Sequence, residues 1–427
     1  MYAMSGSRFD SAETSGTSAL LLQMLVRSDA FKKGVAQLGA KVHIHADREI
    51  QGVTLAVFND QVSSAVDLLT KVFSRDTQLS EVGFEAEKEI LHRRAMEVQR
   101  DQFEQTQSCL FETTFEDHTM GLPLLGLRDN ARNLTLKQLE THRDRTFTGP
   151  RMALVITGNP SNPEQTLENA QAAMSKIPSD ATMENNEFYS VSLEKPLLTS
   201  TVMNVRDDEM SNLNVGVSYL TGNYASENHF FYMLFQEMVG DFNAHEDGSA
   251  HVNSSDRQYN LGHTWLGDAP GINLHVVRYL PFSDGGLFTN FTHGHEIWGY
   301  DMMLFGQFLN TEFTKQITLN DVYRARARVF NNLLQNSRVS VKNNLGIGRD
   351  LLYTGRRIGR NEIAKRVSAI SETTHLQKKA KKLFYDKDIA VVTYGPQHMI
   401  DHVNYFGRKM RVSTLHNTLI KMNMIPK

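Results

Sequence analysis

"RMALVITGNP", residues 151–160, indicates how this chain is organised, because a later stretch repeats its pattern. The later stretch is "IAVVTYGP", residues 389–396. Each is an apolar run of strand-forming residues that ends at a glycine. The two glycines, Gly158 and Gly395, lie 237 residues apart. The repetition of a strand together with its end predicts two related halves.

A second pair of segments repeats at nearly the same distance. "QLSEVGFEAEKEILHRRAMEV" begins at Gln78, and "QITLNDVYRARARVFNNLLQ" begins at Gln316, which is 238 residues later. Each runs from a capped turn into a long charged amphipathic helix. Two independent markers with one offset indicate a tandem duplication. Turn-rich and polar sequence between about residues 160 and 200 marks the border, so we predict domains at residues 1–190 and 191–427.

Each half keeps its strand patterns and its helix patterns in separate runs. In the first half, alternation over residues 39–58 predicts a hairpin or two adjacent strands. Helices are predicted in that half at residues 61–75, 84–115 and 135–147. In the second half, strands are predicted at residues 201–207, 212–220, 271–280 and 286–293, and helices at 297–315 and 320–354. This segregation predicts an α+β fold of two homologous halves, each a mostly antiparallel sheet packed with helices.

The repeat offset predicts that the first half is incomplete at its N-terminus. An offset of 238 maps the strands at residues 201–207 and 212–220 onto positions before the first residue. Either these two strands lie on a separate polypeptide that pairs with the first half, or residues 1–10 are the surviving end of a strand beside a foreign one. An open sheet edge exposes unpaired backbone groups, so we expect a neighbouring chain to complete this sheet.

Composition excludes several functional classes. The 427 residues are 40% apolar and 22% charged, and the net charge of −3 argues against nucleic acid as the main ligand. One cysteine, Cys109, allows neither an intrachain disulfide, a cysteine-only zinc site nor an iron–sulfur cluster, and we expect it to pack as a small apolar group. No apolar run is long enough to span a membrane, so membrane attachment is expected only through partners. Residues 1–10 resemble neither a secretory signal nor a transit peptide.

Six segments, in order along nearly the whole chain, resemble the pitrilysin-type metallopeptidases of mitochondria. They are "GSRFDSAETSGTSALLLQM", "LGAKVHIHADRE", "EKEILHRRAMEV", "FTGPRMALVITGN", "DLLYTGRRI" and "LFYDKDIAVVTYGP". Active members of this family carry an inverted zinc motif, His-x-x-Glu-His, after a Gly-Thr pair that here is Gly16 and Thr17. The two histidines share one helix face and hold the zinc, and the glutamate activates the metal-bound water. The helix that begins here is expected to have Thr17 or Ser18 as its cap.

The resemblance implies that the zinc motif of this chain is degenerate. Ala19 and Gln23 stand at the two histidine positions, and Leu22 stands at the glutamate base. In the family a third ligand, another glutamate, comes from a later long helix, and we place that position at Arg94, with Glu97 as an acidic alternative. Alanine and leucine cannot coordinate zinc, and arginine places a permanent positive charge where a dication should sit. We therefore expect a packing helix with no catalytic residue, no metal and no cofactor.

The resemblance also implies a function and partners. The expected function is that of a non-catalytic core subunit of mitochondrial respiratory complex III, facing the matrix at the inner membrane. Its partners would be a core-two-type subunit, cytochrome b, cytochrome c1 and the Rieske subunit. Complex III is an oxidoreductase, and its chemistry would lie in those other subunits. The alternative is a non-catalytic, presequence-binding subunit of a mitochondrial processing peptidase.

Other clusters offer weaker hypotheses. His43 and His45 lie two residues apart on one face of a predicted strand, and His293, His295 and Glu296 lie at the end of a later strand that leads into a helix. A working peptidase with its ligands relocated to either pair is the enzyme alternative, but a plain strand face and a helix start are favoured.

A glycine- and arginine-rich segment and a polar loop also have structural interpretations. The segment carrying Arg356, Arg357 and Arg360 matches no phosphate-binding fingerprint, so we interpret it as a helix end followed by a basic turn. The polar loop at residues 246–256 is unlike the long glycine-rich loop of the processing peptidase α subunit.

Overall fold

The structure is a computed structural model, and it describes residues 1–179, 198, 200–240, 242–244, 250–251, 272–295, 315, 317–385, 388–396 and 411–414. These residues form two compact units, named unit 1 and unit 2. Unit 1 contains the described residues within 1–98, 118–194 and 334–358, and unit 2 contains those within 99–117, 195–333 and 359–427. The predicted border between residues 190 and 191 lies outside the described residues and stays a prediction.

Strands and helices alternate in runs along the described chain. The strands are β1 (Tyr2–Met4), β2 (Lys41–Ala46), β3 (Ile50–Ala56), β4 (Met152–Ala153), β5 (Thr201–Arg206), β6 (Asn212–Thr221), β7 (Phe242–Ala244), β8 (Ala250–His251), β9 (Ile272–Pro281), β10 (Gly286–His295), β11 (Ile389–Gly395) and β12 (Arg411–Thr414). The α-helices are α1 (Thr17–Arg27), α2 (Asp29–Leu38), α3 (Val62–Val72), α4 (Phe84–Arg100), α5 (Gln102–Thr114), α6 (Asn130–Asn133), α7 (Leu136–Thr146), α8 (Pro163–Met174), α9 (His229–Val239), α10 (Leu319–Arg338), α11 (Ser340–Thr354), α12 (Arg360–Ala369) and α13 (Thr373–Ala380). This content confirms the predicted α+β fold of two sheets packed with helices.

Unit 1 is built on a four-stranded antiparallel sheet in the order β2-β3-β1-β4. The β2–β3 hairpin pairs His43 with Thr54, in the region where alternation predicted it. The apolar face of α1 packs into the core of this unit and buries Leu20, Leu21 and Leu25. Burial of such side chains is worth about 1.5–3 kcal/mol each, so the helix is held by its packing.

Unit 2 contains a larger sheet in the order β12-β5-β11-β6-β10-β9-β7-β8. Its long strands pair antiparallel, apart from β5, which runs parallel to both β11 and β12. The core is aromatic: the Phe384 ring centroid lies 5.0 Å from that of Tyr219 and 5.2 Å from that of Phe288, both edge-to-face. Such contacts add specificity to the apolar burial of the sheet.

The repeat is visible in the backbone. Gly158 and Gly395 have φ angles of 127° and 130°, so both end their segment in a conformation that favours glycine. In unit 1, β1 lies between β3 and β4, and in unit 2, β6 lies between β10 and β11. A helix follows each of these central strands, α1 after β1 and α9 after β6.

This comparison corrects the prediction about the first half. Residues 1–10 do not lie beside a foreign strand, because Tyr2 pairs with Gly52 of β3 on one side and Ala153 of β4 on the other. β1 is the counterpart of β6, so one of the two strands predicted to be missing is present. Among the described residues, the sheet of unit 1 has four strands and that of unit 2 has eight, and no strand lies beside β4 as β5 lies beside β11.

Two predicted helices are each broken in two. The helix predicted at residues 84–115 is interrupted at Asp101, whose extended backbone lets its side chain cap α5 at Glu104. The helix predicted at 320–354 is interrupted at Val339, which is also extended. The apolar periodicity continues across both breaks, and therefore does not reveal them. The helix predicted at 297–315 lies outside the described residues, apart from residue 315.

The breaks allow one helix from each sequence half to join the other unit. α5 belongs to unit 2, where the Thr114 hydroxyl lies 2.6 Å from that of Ser218 on β6. α11 belongs to unit 1, where the Thr157 hydroxyl donates to the Asn344 side chain at 2.6 Å. Each unit is therefore composed of discontinuous segments of the chain.

Within the described ranges, no helix combines the length and the apolarity that crossing a membrane requires.

Candidate functional site

The start of α1, where the sequence predicts a degenerate zinc motif, is hydrogen-bonded by a side chain from outside the helix. The N-cap of α1 is Gly16, whose φ of 100° suits glycine. The expectation that Thr17 or Ser18 would be the N-cap is therefore wrong, because both lie inside the helix. The Asp10 carboxylate accepts hydrogen bonds from the backbone N–H of Gly16 at 3.0 Å and of Ser18 at 3.1 Å. It also accepts the Ser18 hydroxyl at 2.9 Å. Asp10 thus satisfies the exposed donors at the helix start, a role that lay outside the expected cap spacing.

Gln23 lies at the centre of a polar network between α1 and α4. Its amide nitrogen donates to the Glu87 carboxylate at 2.6 Å and to the Glu87 backbone oxygen at 3.0 Å. Its amide oxygen accepts a hydrogen bond from the Arg94 guanidinium at 3.3 Å. Arg27, a turn further along α1, forms an ion pair with Glu87 at 2.9 Å. The network therefore combines one carboxylate, two guanidinium groups and one neutral amide.

The other two motif positions face the apolar core. Leu22 is 4% exposed and belongs to the core cluster of unit 1, and the partly buried Ala19 packs against the same cluster. Arg94 and the alternative acidic residue Glu97 are both exposed on α4. The structure thus brings Gln23 and Arg94 into contact and places Ala19 and Leu22 in packing positions. That these four residues hold no metal and do no chemistry stays a prediction.

The histidine pairs have local partners. His45 Nε2 lies 3.0 Å from the Asp47 carboxylate, which also pairs with Arg349 at 3.2 Å, while His43 is exposed on β2. His293 Nδ1 lies 2.8 Å from the Asn214 side-chain oxygen, and burial lowers the pKa of His293. Glu296 lies outside the described residues. In the part of the chain that the structure describes, no group of three His, Cys, Asp or Glu residues is close enough to hold a metal ion.

Three buried side chains, of a serine, a histidine and an aspartate, lie in contact next to α1. Ser5 Oγ is 3.0 Å from His142 Nε2, and His142 Nδ1 is 3.5 Å from Asp10 Oδ1. Ser5 has no exposed surface, so no substrate carbonyl can reach its hydroxyl and a nucleophilic role is excluded. Burial raises the pKa of Asp10 to about 7, although hydrogen bonds from Ser18 and Gly16 oppose the rise. Burial lowers the pKa of His142 to about 4, so both side chains are uncharged between about pH 4 and pH 7.

The remaining candidates are structural. Burial raises the pKa of the Cys109 thiol to about 12, and the side chain packs in the apolar cluster between α5 and the sheet of unit 2, so it is unreactive at neutral pH. α11 ends at the left-handed Gly355, and Arg356, Arg357 and Arg360 are exposed after it, as expected for a helix end and a basic turn. The loop at 246–256 lies outside the described residues, apart from 250 and 251.

The fold defines a class: a two-unit α+β protein in which each unit is a sheet packed with helices. The family model for insulinase, peptidase family M16, matches residues 1–128. The model for the peptidase M16 inactive domain matches residues 133–314. The chain belongs to peptidase family M16.

Named relatives in this family are β subunits of mitochondrial processing peptidases. The chain is 25% identical to a probable subunit from Arabidopsis thaliana, over 95% of this chain and 75% of that protein. It is 24% identical to the subunit from Neurospora crassa, over 96% of this chain and 86% of that protein. The identity to the Bos taurus subunit is 22%, over 95% of this chain and 81% of that protein.

Solved structures share the fold at low sequence identity. A chain of complex III2 from Candida albicans, with Inz-5 bound, superposes with a TM-score of 0.75 at 18% identity, covering 92% of this chain and 89% of that one. A peptidase M16 inactive domain from Pseudomonas fluorescens gives a TM-score of 0.75 at 14% identity, covering 92% of each chain. At this identity, the likeness shows the fold alone.

Proposed function

We propose that this chain is a non-catalytic subunit of a mitochondrial processing-peptidase assembly, which binds extended presequence segments while a partner M16 subunit holds the zinc. The observation that carries the proposal is the hydrogen bond between Arg94 and Gln23. A guanidinium at this place repels a dication, and a neutral amide is a weak zinc ligand. Glu87, the carboxylate of the network, is already paired with Arg27.

The open edge of the unit 1 sheet supports peptide binding. Among the described residues, β2 pairs with β3 on one side and has no strand on the other. It is exposed along most of its length, and Ile44 on it is 55% exposed. An extended peptide can add a strand to such an edge through main-chain hydrogen bonds, with side-chain contacts for specificity. The names of the relatives and their extensive alignment favour the processing-peptidase assignment.

A second candidate is a non-catalytic core subunit of complex III at the matrix side of the inner membrane. The fold shared with the Candida albicans complex III2 chain favours it. In this case the partners would be a core-two-type subunit, cytochrome b, cytochrome c1 and the Rieske subunit. Purification from mitochondria separates the candidates: a soluble pair with a second M16 subunit supports the first, and recovery with cytochrome b supports the second.

Zinc content tests the non-catalytic assignment itself. The unmodified protein should contain no stoichiometric zinc by elemental analysis and should cleave no presequence peptide. The variant Ala19→His/Leu22→Glu/Gln23→His should still lack zinc, because Arg94 leaves a cation beside the metal position. Addition of Arg94→Glu should raise the zinc content towards one ion per chain.

The two variants form a matched pair that differs in one charge-reversing substitution. One zinc per chain in the unmodified protein, bound at α1, would refute the proposal. Equal zinc loading of the triple and quadruple variants would show that Arg94 is not the residue that blocks the site.

A further inference from the structure

α13 carries a row of exposed lysines on the surface of unit 2. The helix continues into a single turn of π-helix, and residues 373–385 contain four lysines and no acidic residue. One side of this segment is buried in the core of unit 2 through Leu376, Ala380, Leu383 and Phe384. Lys378, Lys381 and Lys382 are exposed, and their spacing of three and four residues places them together on the outward side. We name these three side chains the lysine row.

The positive charge of the lysine row is not neutralised locally. Within the described part of the chain, none of its three side chains forms an ion pair. The fourth lysine of the segment, Lys379, is partly buried and donates to the Asn228 side chain at 2.6 Å. The carboxylates that flank the segment are Glu372 at its start and Asp388 beyond its end, and Asp388 accepts the Ser200 hydroxyl at 2.7 Å. The outward side of α13 is therefore a compact patch of positive charge.

Exposed apolar side chains adjoin the lysine row. Leu319 and Tyr323, one turn apart on α10, and Tyr385, at the end of the π-helical turn, are each more than half exposed. Gln377, which precedes the first lysine of the row, donates to the backbone oxygen of Ile317 at 3.4 Å. This hydrogen bond places the start of α10 beside α13. The surface thus combines three cations with three apolar or aromatic side chains.

The residue types on this surface favour a plane of negative charge over a single bound anion. A lysine ammonium is a hydrated point charge on a flexible stem, whereas arginine suits recognition of one anion through two parallel hydrogen bonds. Arginines elsewhere in unit 2 are used within the fold, since Arg326 and Arg328 donate to backbone oxygens. Anionic lipids spread negative charge over a plane, and tyrosine and leucine suit the boundary between headgroups and acyl chains.

We propose that the lysine row and the apolar side chains beside it dock this protein on the surface of an anionic lipid bilayer. The ammonium groups pair with lipid phosphates, and Leu319, Tyr323 and Tyr385 enter the headgroup region. Such a contact needs no helix that crosses the bilayer. It is direct, and it therefore differs from the sequence-based expectation of membrane attachment only through partners. It is compatible with either candidate function and depends on neither.

Co-sedimentation of the full chain with lipid vesicles tests this proposal. The unmodified protein should bind vesicles of equal parts phosphatidylcholine and phosphatidylglycerol, and it should not bind vesicles of phosphatidylcholine alone. A lysine near an anionic leaflet contributes about fivefold in affinity, so Lys378→Gln/Lys381→Gln/Lys382→Gln should weaken binding on the order of 100-fold. The control Lys32→Gln/Lys33→Gln/Lys71→Gln removes three exposed lysines from α2 and α3 of unit 1 and should leave binding unchanged.

The apolar contribution has its own variant. Leu319→Ser/Tyr323→Ser leaves every charge in place and should weaken binding to the anionic vesicles several-fold. Unaltered binding of this variant would remove the apolar side chains from the docking surface and overturn that part of the proposal. An unchanged melting temperature without vesicles verifies that each variant is folded.

Four results would overturn the lipid assignment. They are the absence of binding to anionic vesicles, equal binding to neutral ones, an equal loss in the unit 1 control, and unaltered binding of the α13 variant. Soluble polyglutamate separates a lipid surface from an acidic protein partner. Displacement of the protein from the vesicles by polyglutamate at an equal concentration of negative charge would assign the lysine row to such a partner instead.

Discussion

At the residue scale, Gln23 is a buried side-chain amide with hydrogen bonds at both of its ends. Its amide donates to Glu87 at one end and accepts from Arg94 at the other, and it is only 7% exposed. Buried polar groups stabilise a fold only when they are satisfied, and both ends of this amide are. Gln23 is thus a stable part of the packing between α1 and α4.

The buried Asp10 and His142 pair predicts a specific pH dependence of stability. Folding raises the pKa of Asp10 from 3.8 to about 7. The contribution of Asp10 to the unfolding free energy is therefore lost as the pH rises from about 4 to 7. Folding lowers the pKa of His142 from 6.5 to about 4. The contribution of His142 to the unfolding free energy is therefore lost as the pH falls from about 6.5 to 4. Between pH 4.5 and 6.5 the pair therefore holds one proton in both states, and the two effects cancel.

Single substitutions should reveal the pH dependence of the unfolding free energy that each of the two groups causes. Relative to the unmodified protein, the unfolding free energy of Asp10→Asn should rise with pH by about 1.4 kcal/mol per unit across that window. For His142→Gln, the unfolding free energy should fall with rising pH by a similar amount per unit. Urea unfolding at several pH values measures both slopes. Parallel curves for the three proteins would mean that these groups do not titrate as described.

These residue-level features could be predicted only in part. The assignment of Ala19, Leu22, Gln23 and Arg94 to motif positions comes from the resemblance alone and stays a prediction. The contact between Gln23 and Glu87 could not be predicted from the sequence, because 64 positions separate the two residues. Only the packing of α4 on α1 brings them together. Asp10 and His142 are 132 positions apart and carry no local spacing signal.

At the element scale, α11 contains two glycines that test its docking in unit 1. Gly348 contacts the Tyr2 ring, and an added Cβ would lie 2.6 Å from Tyr2 Cδ2. Gly346, in the same helix, is exposed and has open space around it. Gly348→Ala should destabilise the protein by about 1–3 kcal/mol through overpacking. Gly346→Ala should stabilise it by about 0.5–1 kcal/mol through helix propensity.

Chemical denaturation of the two variants measures this difference. Because both changes add one methyl group to one helix, their opposite signs isolate the contact with β1. A stabilising Gly348→Ala would contradict the assignment of α11 to unit 1.

The exposed strand β2 gives a second prediction at this scale, which rests on the proposed function. Ile44→Lys should weaken the binding of a basic presequence peptide at least fivefold, because it removes an apolar contact and adds a like charge. Leu167→Lys, at a 59% exposed position on α8, makes the same charge change away from the edge. Fluorescence anisotropy with a labelled peptide compares them, and an equal effect of both would refute binding at β2.

The elements themselves differ in how far they could be predicted. The β2–β3 hairpin and the strand at Gly395 follow from local alternation and a glycine with positive φ, so the sequence predicts them well. The interruptions at Asp101 and Val339 depend on which sheet the following helix joins. That choice is a tertiary effect, and hydrophobic periodicity does not encode it.

At the scale of the whole molecule, both candidate functions require a stable complex with another subunit. We expect an interface that buries more than about 2,000 Å² in total, the size usual for obligate partners. Light scattering of the purified native assembly at micromolar concentration should give a mass above that of the 48.4 kDa chain. A stable monomer under these conditions would contradict the expectation.

α5 and α11 each pack in the unit formed mainly by the other half of the sequence, and this has a consequence for dividing the chain into two fragments. A cut at the repeat border would leave the first fragment with α5, whose buried Leu110 has its apolar partners in unit 2, and without the helix that covers Tyr2. The two products would each carry one surplus helix and lack one required helix. We therefore expect that neither fragment folds on its own.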